Sequence, residues 1–361
     1  MAKIILDGVA HSYMKNPLLE RDYALKSIQH EWHDGGAYAL LGPSGCGKTT
    51  LLNVISGLVR PSRGRVIFGR QDVTLLPPEK RNIAQIFQFP VVYETMTVAE
   101  NLAFPLRNQN IPKPERDRRV GDVLAMLDLE AAAGKRARNL GADTKQKISL
   151  GRGLVRTDAN AILFDEPLTV IDPALKWQLR AQLKKVHREF SHTMIYVTHD
   201  QTEALTFADK VVVMREGEVL QIGTPEELFD SPSHTFVGRF IGSPGMNILP
   251  CEVHNQTAIV GAHRIPLDQS YCPAAGGLEL GIRPEYVDLT EETESDNGLP
   301  VTVCSVENLG RYKIVEVKLE QHKLKVMLQE GRPVPRSPHM SFHPERVKIY
   351  QDSVLLSSAR G

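Results

Sequence analysis

The chain predicts an α/β fold: a mixed, mainly parallel sheet interrupted by a helical insert, then a smaller all-β domain. Three observations carry this. Strand-like and helix-like segments alternate from the start to about residue 240. Several of these strands are apolar throughout, as parallel strands covered on both faces are. Beyond Gly242-Ser243-Pro244-Gly245 the pattern shortens to closely spaced strands.

In chain order, Ile4–Asp7, Val66–Phe68, Ala84–Phe87, Ala161–Phe164, Thr193–Thr198 and Val211–Met214 read as strands. Ala37–Leu41 is a further short apolar run, and Thr49–Leu58 has the apolar spacing of a helix. Residues 98–156 lack β-branched runs, and Pro114-Glu115 opens a helix that runs to about Leu127. A helical subdomain is therefore expected at about 90–156. Past the break, Ala258–Val260, Glu279–Ile282, Val301–Val306, Ile314–Leu319 and Lys323–Leu328 read as strands, and the acidic stretch Glu291–Gly298 as a surface loop. Arg283-Pro284-Glu285 and His343-Pro344-Glu345-Arg346 stand beside strands in similar settings, which suggests two related β modules. The expected domains are 1–243, α/β, and 244–361, β-barrel-like.

With 361 residues there is ample core for two or three domains. Lys plus Arg and Asp plus Glu are both 43, a balance that gives no push toward nucleic acid or an anionic membrane. The basic clusters Arg116–Arg119 and Lys135–Arg138 read as solvated helix faces. Cys46, Cys251, Cys272 and Cys304 lack metal-ligand spacing, which points to a reducing cytosol rather than a disulfide framework. No apolar run approaches the roughly eighteen residues a membrane span needs. Met1–Tyr13 reads as a strand and turn, not a signal peptide. A soluble chain is expected, with any membrane role reached through a partner.

Residues 42–49 carry the most chemistry. Gly42-Pro43-Ser44-Gly45-Cys46-Gly47-Lys48-Thr49 matches the phosphate-cradling pattern G-x-x-x-x-G-K-[ST]. A loop wraps a polyphosphate only if its backbone N–H groups point inward, and the three glycines permit that turn. Lys48 is placed to reach the β- and γ-phosphates of ATP, and the Thr49 hydroxyl to ligate Mg²⁺. Thr50 follows in the first turn of the helix, whose N-terminus favours anions.

Ala161–Phe164 ends in Asp165-Glu166. One acid suits the Mg²⁺ shell and the other suits polarising an attacking water, so Asp165 is read as a metal residue and Glu166 as the general base. His199 directly follows Thr193–Thr198, at a strand end where functional groups gather in open parallel sheets. It is read as a donor to the γ-phosphate. Gln88 follows Ala84–Phe87 and is read as a second Mg²⁺ ligand that reports to the helical insert. Tyr13 either stacks on an adenine ring or packs under the N-terminal hairpin.

These motifs, in this order, resemble the nucleotide-binding subunits of ATP-binding cassette transporters over nearly the whole chain. The resemblance implies a phosphate loop at Gly42–Thr49, a glutamine loop at Gln88, an acid pair at Asp165-Glu166, a dimer-crossing loop at Thr169–Asp172 and a switch histidine at His199. Phe236–Pro244, Met246-Asn247 and Gly281-Ile282-Arg283-Pro284-Glu285 are similar to the sugar and polyol importers of maltose, glycerol or glycerol-phosphate type. Those carry a C-terminal regulatory barrel of OB type. One departure stands out. The family's signature, Leu-Ser-Gly-Gly-Gln, falls on Leu140-Gly141-Ala142-Asp143-Thr144, where only the leucine remains. Asp143 and Gln146 also have the spacing of a capping box.

The resemblance implies a peripheral ATPase on the cytoplasmic face of the inner membrane. Its partners are transmembrane permease subunits, with an extracytoplasmic solute-binding protein reached through the complex. The degenerate signature favours a heterodimer with a second, different ATPase subunit over a homodimer. A mainly regulatory subunit, whose C-terminal domain binds a signalling protein, and a soluble non-transport ATPase are the alternatives. No nucleic-acid partner is expected.

Overall fold

Two sheets build the N-terminal part of the chain, in a computed structural model that describes residues 3–271, 276–291 and 298–357. The strands and helices are β1 (Ile4–His11), β2 (Leu25–Trp32), β3 (Ala37–Leu41), α1 (Lys48–Ser56), β4 (Arg63–Phe68), β5 (Gln71–Asp72) and β6 (Ile83–Ile86). There follow α2 (Val98–Asn108), α3 (Lys113–Met126), α4 (Ala142–Leu154), β7 (Ala161–Asp165), α5 (Pro173–Phe190), β8 (Met194–Thr198), α6 (Gln201–Phe207), β9 (Lys210–Arg215) and β10 (Glu218–Gly223).

The larger sheet has the order β10-β9-β3-β8-β7-β6. Strands β9, β3, β8, β7 and β6 are parallel, and β10 closes one edge antiparallel to β9. Every residue of β3 and β8 is buried. That burial explains their unbroken apolar sequences, and it places their carboxyl ends, with those of β7 and β6, on one rim. The second sheet, β2-β1-β4-β5, is antiparallel. Its inner residues Ile4, Leu6, Leu25, Trp32 and Val66 share a core with α1 residues Leu51, Leu52 and Ile55 and with Leu40 of β3. Between β6 and β7 the chain leaves the sheet for α2, α3 and α4, as the sequence predicts for an inserted helical segment. Thr97 caps α2 in a reciprocal box with Glu100.

By contacts the chain divides at Pro225/Glu226, earlier than the Ser243-Pro244 break that its composition suggests. The C-terminal unit begins within α7 (Pro225–Asp230) and continues with α8 (Thr235–Phe240). Its strands are β11 (Asn247–Pro250), β12 (Glu252–His254), β13 (Thr257–Val260), β14 (His263–Pro266), β15 (Leu278–Ile282), β16 (Val287–Glu291) and β17 (Leu299–Pro300). Then come β18 (Thr302–Asn308), β19 (Tyr312–Leu319), β20 (His322–Gln329), β21 (Pro338–Phe342), β22 (Lys348–Gln351) and β23 (Val354–Leu355). They form small antiparallel sheets around one core that includes Leu280, Val317, Val326 and Ile349. Both Arg283-Pro284-Glu285 and His343-Pro344-Glu345 fold alike, as single 3-10 turns opened by the proline and leading into β16 and β22. Arg283 is buried and donates to the carbonyls of Phe229 and Ile241, so α7 and α8 are tied to this unit. Cys272 and most of Glu291–Gly298 lie outside the described residues. Among the described residues, Cys46, Cys251 and Cys304 are free thiols, and no helix is long and apolar enough to cross a membrane.

Candidate active site

The loop from β3 into α1 folds as its glycines require. Gly45 and Gly47 have φ of +80° and +104°, the left-handed region that side chains avoid. A Cβ on Gly47 would stand 2.5 Å from the Ala24 carbonyl, and one on Gly42 would stand 2.3 Å from that of Met214. Gly45 instead faces open space. Lys48 is only 5% exposed, and its ammonium donates to the carbonyls of Gly42 (2.8 Å) and Pro43 (2.9 Å). The lysine is thus held beneath its own loop by two acceptors that it can exchange for phosphate oxygens. Burial pushes the Cys46 thiol up, so Cys46 is a packing residue of the loop rather than a thiolate.

A cleft of about 370 Å³ opens over this loop, lined by Tyr13, Ser44, Gly45, Lys48, Thr49 and Glu166 among others. Tyr13 is 66% exposed and its hydroxyl lies 3.2 Å from Thr50 Oγ1. Its ring borders the cleft and meets the His11 ring of β1 edge-on, with centroids 4.6 Å apart.

The acid pair ends β7. Thr49 Oγ1 donates to Asp165 Oδ1 at 3.1 Å. Burial pushes the Asp165 carboxyl above its ordinary value and the charge of Glu166 adds to this, while the Thr49 hydroxyl opposes it. A half-buried carboxylate and a hydroxyl are hard oxygen donors of the kind Mg²⁺ takes. These residues fit the ion that a polyphosphate brings with it.

Glu166 has φ of +47°, a left-handed conformation that costs a non-glycine residue about 1–3 kcal/mol. Its backbone N–H nevertheless bonds to the Val197 carbonyl at 3.0 Å. The resulting turn sets the Glu166 carboxylate 3.1 Å from His199 Nδ1 and 3.4 Å from Thr169 Oγ1. A neutral ring that donates through Nδ1 to Glu166 has only an acceptor left at Nε2. Contact with a phosphate oxygen therefore needs a proton on both nitrogens or release from Glu166. Gln88 lies two residues beyond the end of β6, and its side chain has no hydrogen-bond partner among the described residues.

The capping box expected at Asp143 is not formed. Gly141 is the N-cap of α4 and has no side-chain cap, while Asp143 is the second residue inside the helix. Gln146 is fully buried and its amide nitrogen donates to the carbonyls of Phe87 and Pro167. These contacts of the amide nitrogen hold the side chain in the interior, and its Oε1, the acceptor the box would have used, is buried without a hydrogen-bond partner among the described residues. Gly141 and Ala142 are exposed. Lys145 is turned to Glu94 at 2.7 Å and Lys147 to the Leu127 carbonyl at 3.0 Å.

Grooves are expected from the sequence near Gln88–Tyr93, as the surface that passes motion to permease subunits, and a groove does lie beside β6 at this segment. It has a volume of about 520 Å³ and is lined by Phe87, Val91, Phe104, Arg152 and Arg156 among others. One face of α4 holds the segment after Gln88 there: Ser149 Oγ lies 3.4 Å from the Val91 N–H, and Arg152 donates to the Val91 carbonyl over the Tyr93 ring. The part of α4 that lines it, with Arg152, and Arg156 just beyond the helix are not among the candidate site residues read from the sequence.

Residues 25–169 match the family model described as ABC transporter, 242–287 the MalK OB fold domain, and 280–349 the TOBE domain. The sn-glycerol-3-phosphate import ATP-binding protein UgpC of Brucella abortus (strain 2308) is 38% identical over 92% of each chain. UgpC of Paracoccus denitrificans is 40% identical, covering 86% of this chain and 85% of its own. UgpC of Escherichia coli O157:H7 is 37% identical, over 89% and 91%. Among solved structures, the dimeric post-hydrolysis ATP-binding cassette MJ0796 bound to ADP and Pi has a TM-score of 0.54 at 27% identity. It covers 61% of this chain and 98% of its own.

Proposed function

This chain belongs to the ABC transporter family, as an import ATP-binding protein that binds and hydrolyses ATP, and we propose that it powers uptake of sn-glycerol-3-phosphate or a related polyol, sugar or sugar phosphate. The observation that carries the catalytic part is the convergence of Lys48, Thr49, Asp165, Glu166 and His199 on one rim of the parallel sheet. Lys48 binds the phosphates, and Thr49, Asp165 and Gln88 hold Mg²⁺. Glu166 takes the proton of the attacking water, and His199 holds the terminal phosphate. When bound, Mg²⁺ would supply charge neutralisation to the phosphates.

The solute is inferred from what the relatives are called, because an ATPase of this kind transmits work and does not touch the cargo. The groove lined by Phe87, Val91 and Phe104 adjoins the Gln88 loop and suits a helix of a membrane permease. The chain sits at the cytoplasmic face of the inner membrane through such permeases, and a solute-binding protein feeds the complex from outside. The nucleotide closes two ATPase subunits against each other. Here the second subunit is a different chain with an intact signature, because Asp143 stands inside the first turn of α4 with both nearby lysines engaged elsewhere.

Tagged purification from native membranes tests the whole assignment. Permease subunits and a second ATPase should co-purify, and deletion of this chain should abolish uptake of the solute. Recovery of the chain with no permease, or of permeases with two copies of this chain alone, would overturn the corresponding part.

A further inference from the structure

Glu203 is a buried carboxylate that the catalytic reading does not use. It lies on α6, four residues after His199, and is 3% exposed. Its Oε2 accepts from Thr198 Oγ1 at 2.8 Å and from the Tyr196 hydroxyl at 3.1 Å. Its Oε1 lies 3.6 Å from the Lys176 ammonium. The Thr198 hydroxyl also accepts the Asp200 N–H at 3.0 Å, and the N–H of Glu203 bonds to Asp200 Oδ1 at 3.1 Å. Both chain neighbours of His199 are therefore tied to Glu203. Burial and the adjoining carboxylate hold the Tyr196 phenol well above its ordinary value, so it remains a donor.

Lys176 belongs to the first turn of α5, where its N–H bonds to the Asp172 carbonyl at 3.0 Å. Asp172 ends the loop Thr169–Asp172. The loop and the histidine are thus joined twice: in front through Thr169, Glu166 and His199, and behind through Lys176, Glu203 and Thr198. A buried carboxylate is costly unless charged and polar partners compensate it. Among the described residues Lys176 is its one ion-pair partner. Moving the loop drags that cation, and the carboxylate it holds follows.

We infer that Lys176 and Glu203 are a positioning pair that transmits the placement of the 169–172 loop to His199. The pair acts through His199, so the inference rests on the catalytic reading given above. Neither residue touches the nucleotide, and neither belongs to the catalytic machinery.

A double-mutant cycle in the assembled membrane complex tests it. Lys176→Met should lower the ATPase kcat about ten-fold while the KM for ATP stays within about two-fold. Lys176→Arg should restore turnover. In a His199→Ala background, Lys176→Met should cause no further loss. If Lys176→Met prevents assembly, Glu203→Gln keeps an acceptor for both hydroxyls and is expected to give the same pattern. Equal losses in both backgrounds, or wild-type kcat in Lys176→Met, would overturn the pair. Wild-type turnover in His199→Ala alone would overturn the role of His199 first, and the pair with it.

Discussion

Thr49 Oγ1 donates to Asp165 Oδ1 at 3.1 Å, joining the first turn of α1 to the last residue of β7. The phosphate loop and the acid strand are separated by 116 positions in the chain. This one bond brings together the two oxygens that a magnesium ion would share. It also leaves Asp165 half-buried with a neutral partner, beside a second acid, so ionising it works against the nucleotide-free fold.

Asp165→Asn should therefore stabilise the nucleotide-free protein while removing Mg²⁺-dependent activity. The sign follows from the raised carboxyl. A carboxyl whose folded value is raised adds stability below its unfolded value of about 4 and loses it as pH climbs through the folded value. At neutral pH the wild-type carboxylate is charged and costs stability that the amide does not. The melting temperature should rise by roughly 2–4 °C, the shift about 1 kcal/mol gives in a domain of this size. The difference should shrink as pH falls and the wild-type carboxyl takes up its proton. Scanning calorimetry at two pH values checks it; a variant that melts lower at pH 7 contradicts it.

Glu166→Gln should bind ATP with wild-type affinity and turn over at least about 100-fold more slowly, because an amide cannot take a proton from water. The left-handed backbone at Glu166 is fixed by the Val197 bond and not by the carboxylate, so the turn should survive. The amide can still meet His199 and Thr169. Calorimetric binding and steady-state turnover on the same preparation separate the two effects. Equal turnover in the variant would remove Glu166 from the mechanism.

Much of this site is legible in the sequence because its information is local. The phosphate loop needs three glycines and a lysine within eight residues, and its backbone follows from them. The acids and the histidine are legible because apolar strands announce their own ends. Other features are not local. Strand β2 was missed: its residues are a mixed series, Leu-Lys-Ser-Ile-Gln-His-Glu-Trp, and Ser27 at φ +33° interrupts its pairing with β1. The capping box failed because spacing cannot reveal that Gln146 is spent on Phe87 and Pro167. Lys176 and Glu203 lie on two different helices, and no local pattern links them.

The C-terminal unit should fold from residue 226 but not from residue 245. Arg283 is 3% exposed, and its guanidinium bonds to the carbonyls of Phe229 and Ile241 at 2.7 and 2.6 Å and stacks on the Phe229 ring. The Tyr350 hydroxyl is buried and donates to the Pro232 carbonyl at 3.0 Å. A fragment 245–361 loses all of these acceptors, and hydrogen bonds to charged groups contribute about 1.5–3 kcal/mol each. Fragment 226–361 should unfold cooperatively, and fragment 245–361 should melt at least about 10 °C lower or not fold at all. Equal melting of the two would show that the helices are dispensable.

Restoring the signature should raise the activity of this chain when it is its own partner. The first turn of α4 exposes Gly141 and Ala142 and then presents Asp143, with no side-chain cap, no ion-pair partner among the described residues, and Lys145 and Lys147 engaged elsewhere. A helix N-terminus attracts phosphate through its free N–H groups. A carboxylate about 4 Å from a phosphate charge opposes it by about 4 kcal/mol at an effective dielectric near 20. In a homodimer both nucleotides would meet that surface. Beside a partner with an intact signature, an ATP held by Lys48, Asp165, Glu166 and His199 would meet a competent surface, and the partner's ATP would meet Asp143. Purified alone, this chain should hydrolyse ATP slowly, and co-expression with an ATPase subunit that carries an intact signature should restore turnover. The quadruple change Gly141→Ser, Ala142→Gly, Asp143→Gly and Thr144→Gln should raise self-paired activity by about ten-fold or more. Serine in place of the glycine cap gains only a few tenths of a kcal/mol, and glycine within the helix loses about as much or more. A rise in activity without a rise in melting temperature would therefore come from the ATP contact and not from a firmer helix. Full activity of the unmodified chain in a transporter that holds two copies of it would sink the heterodimer.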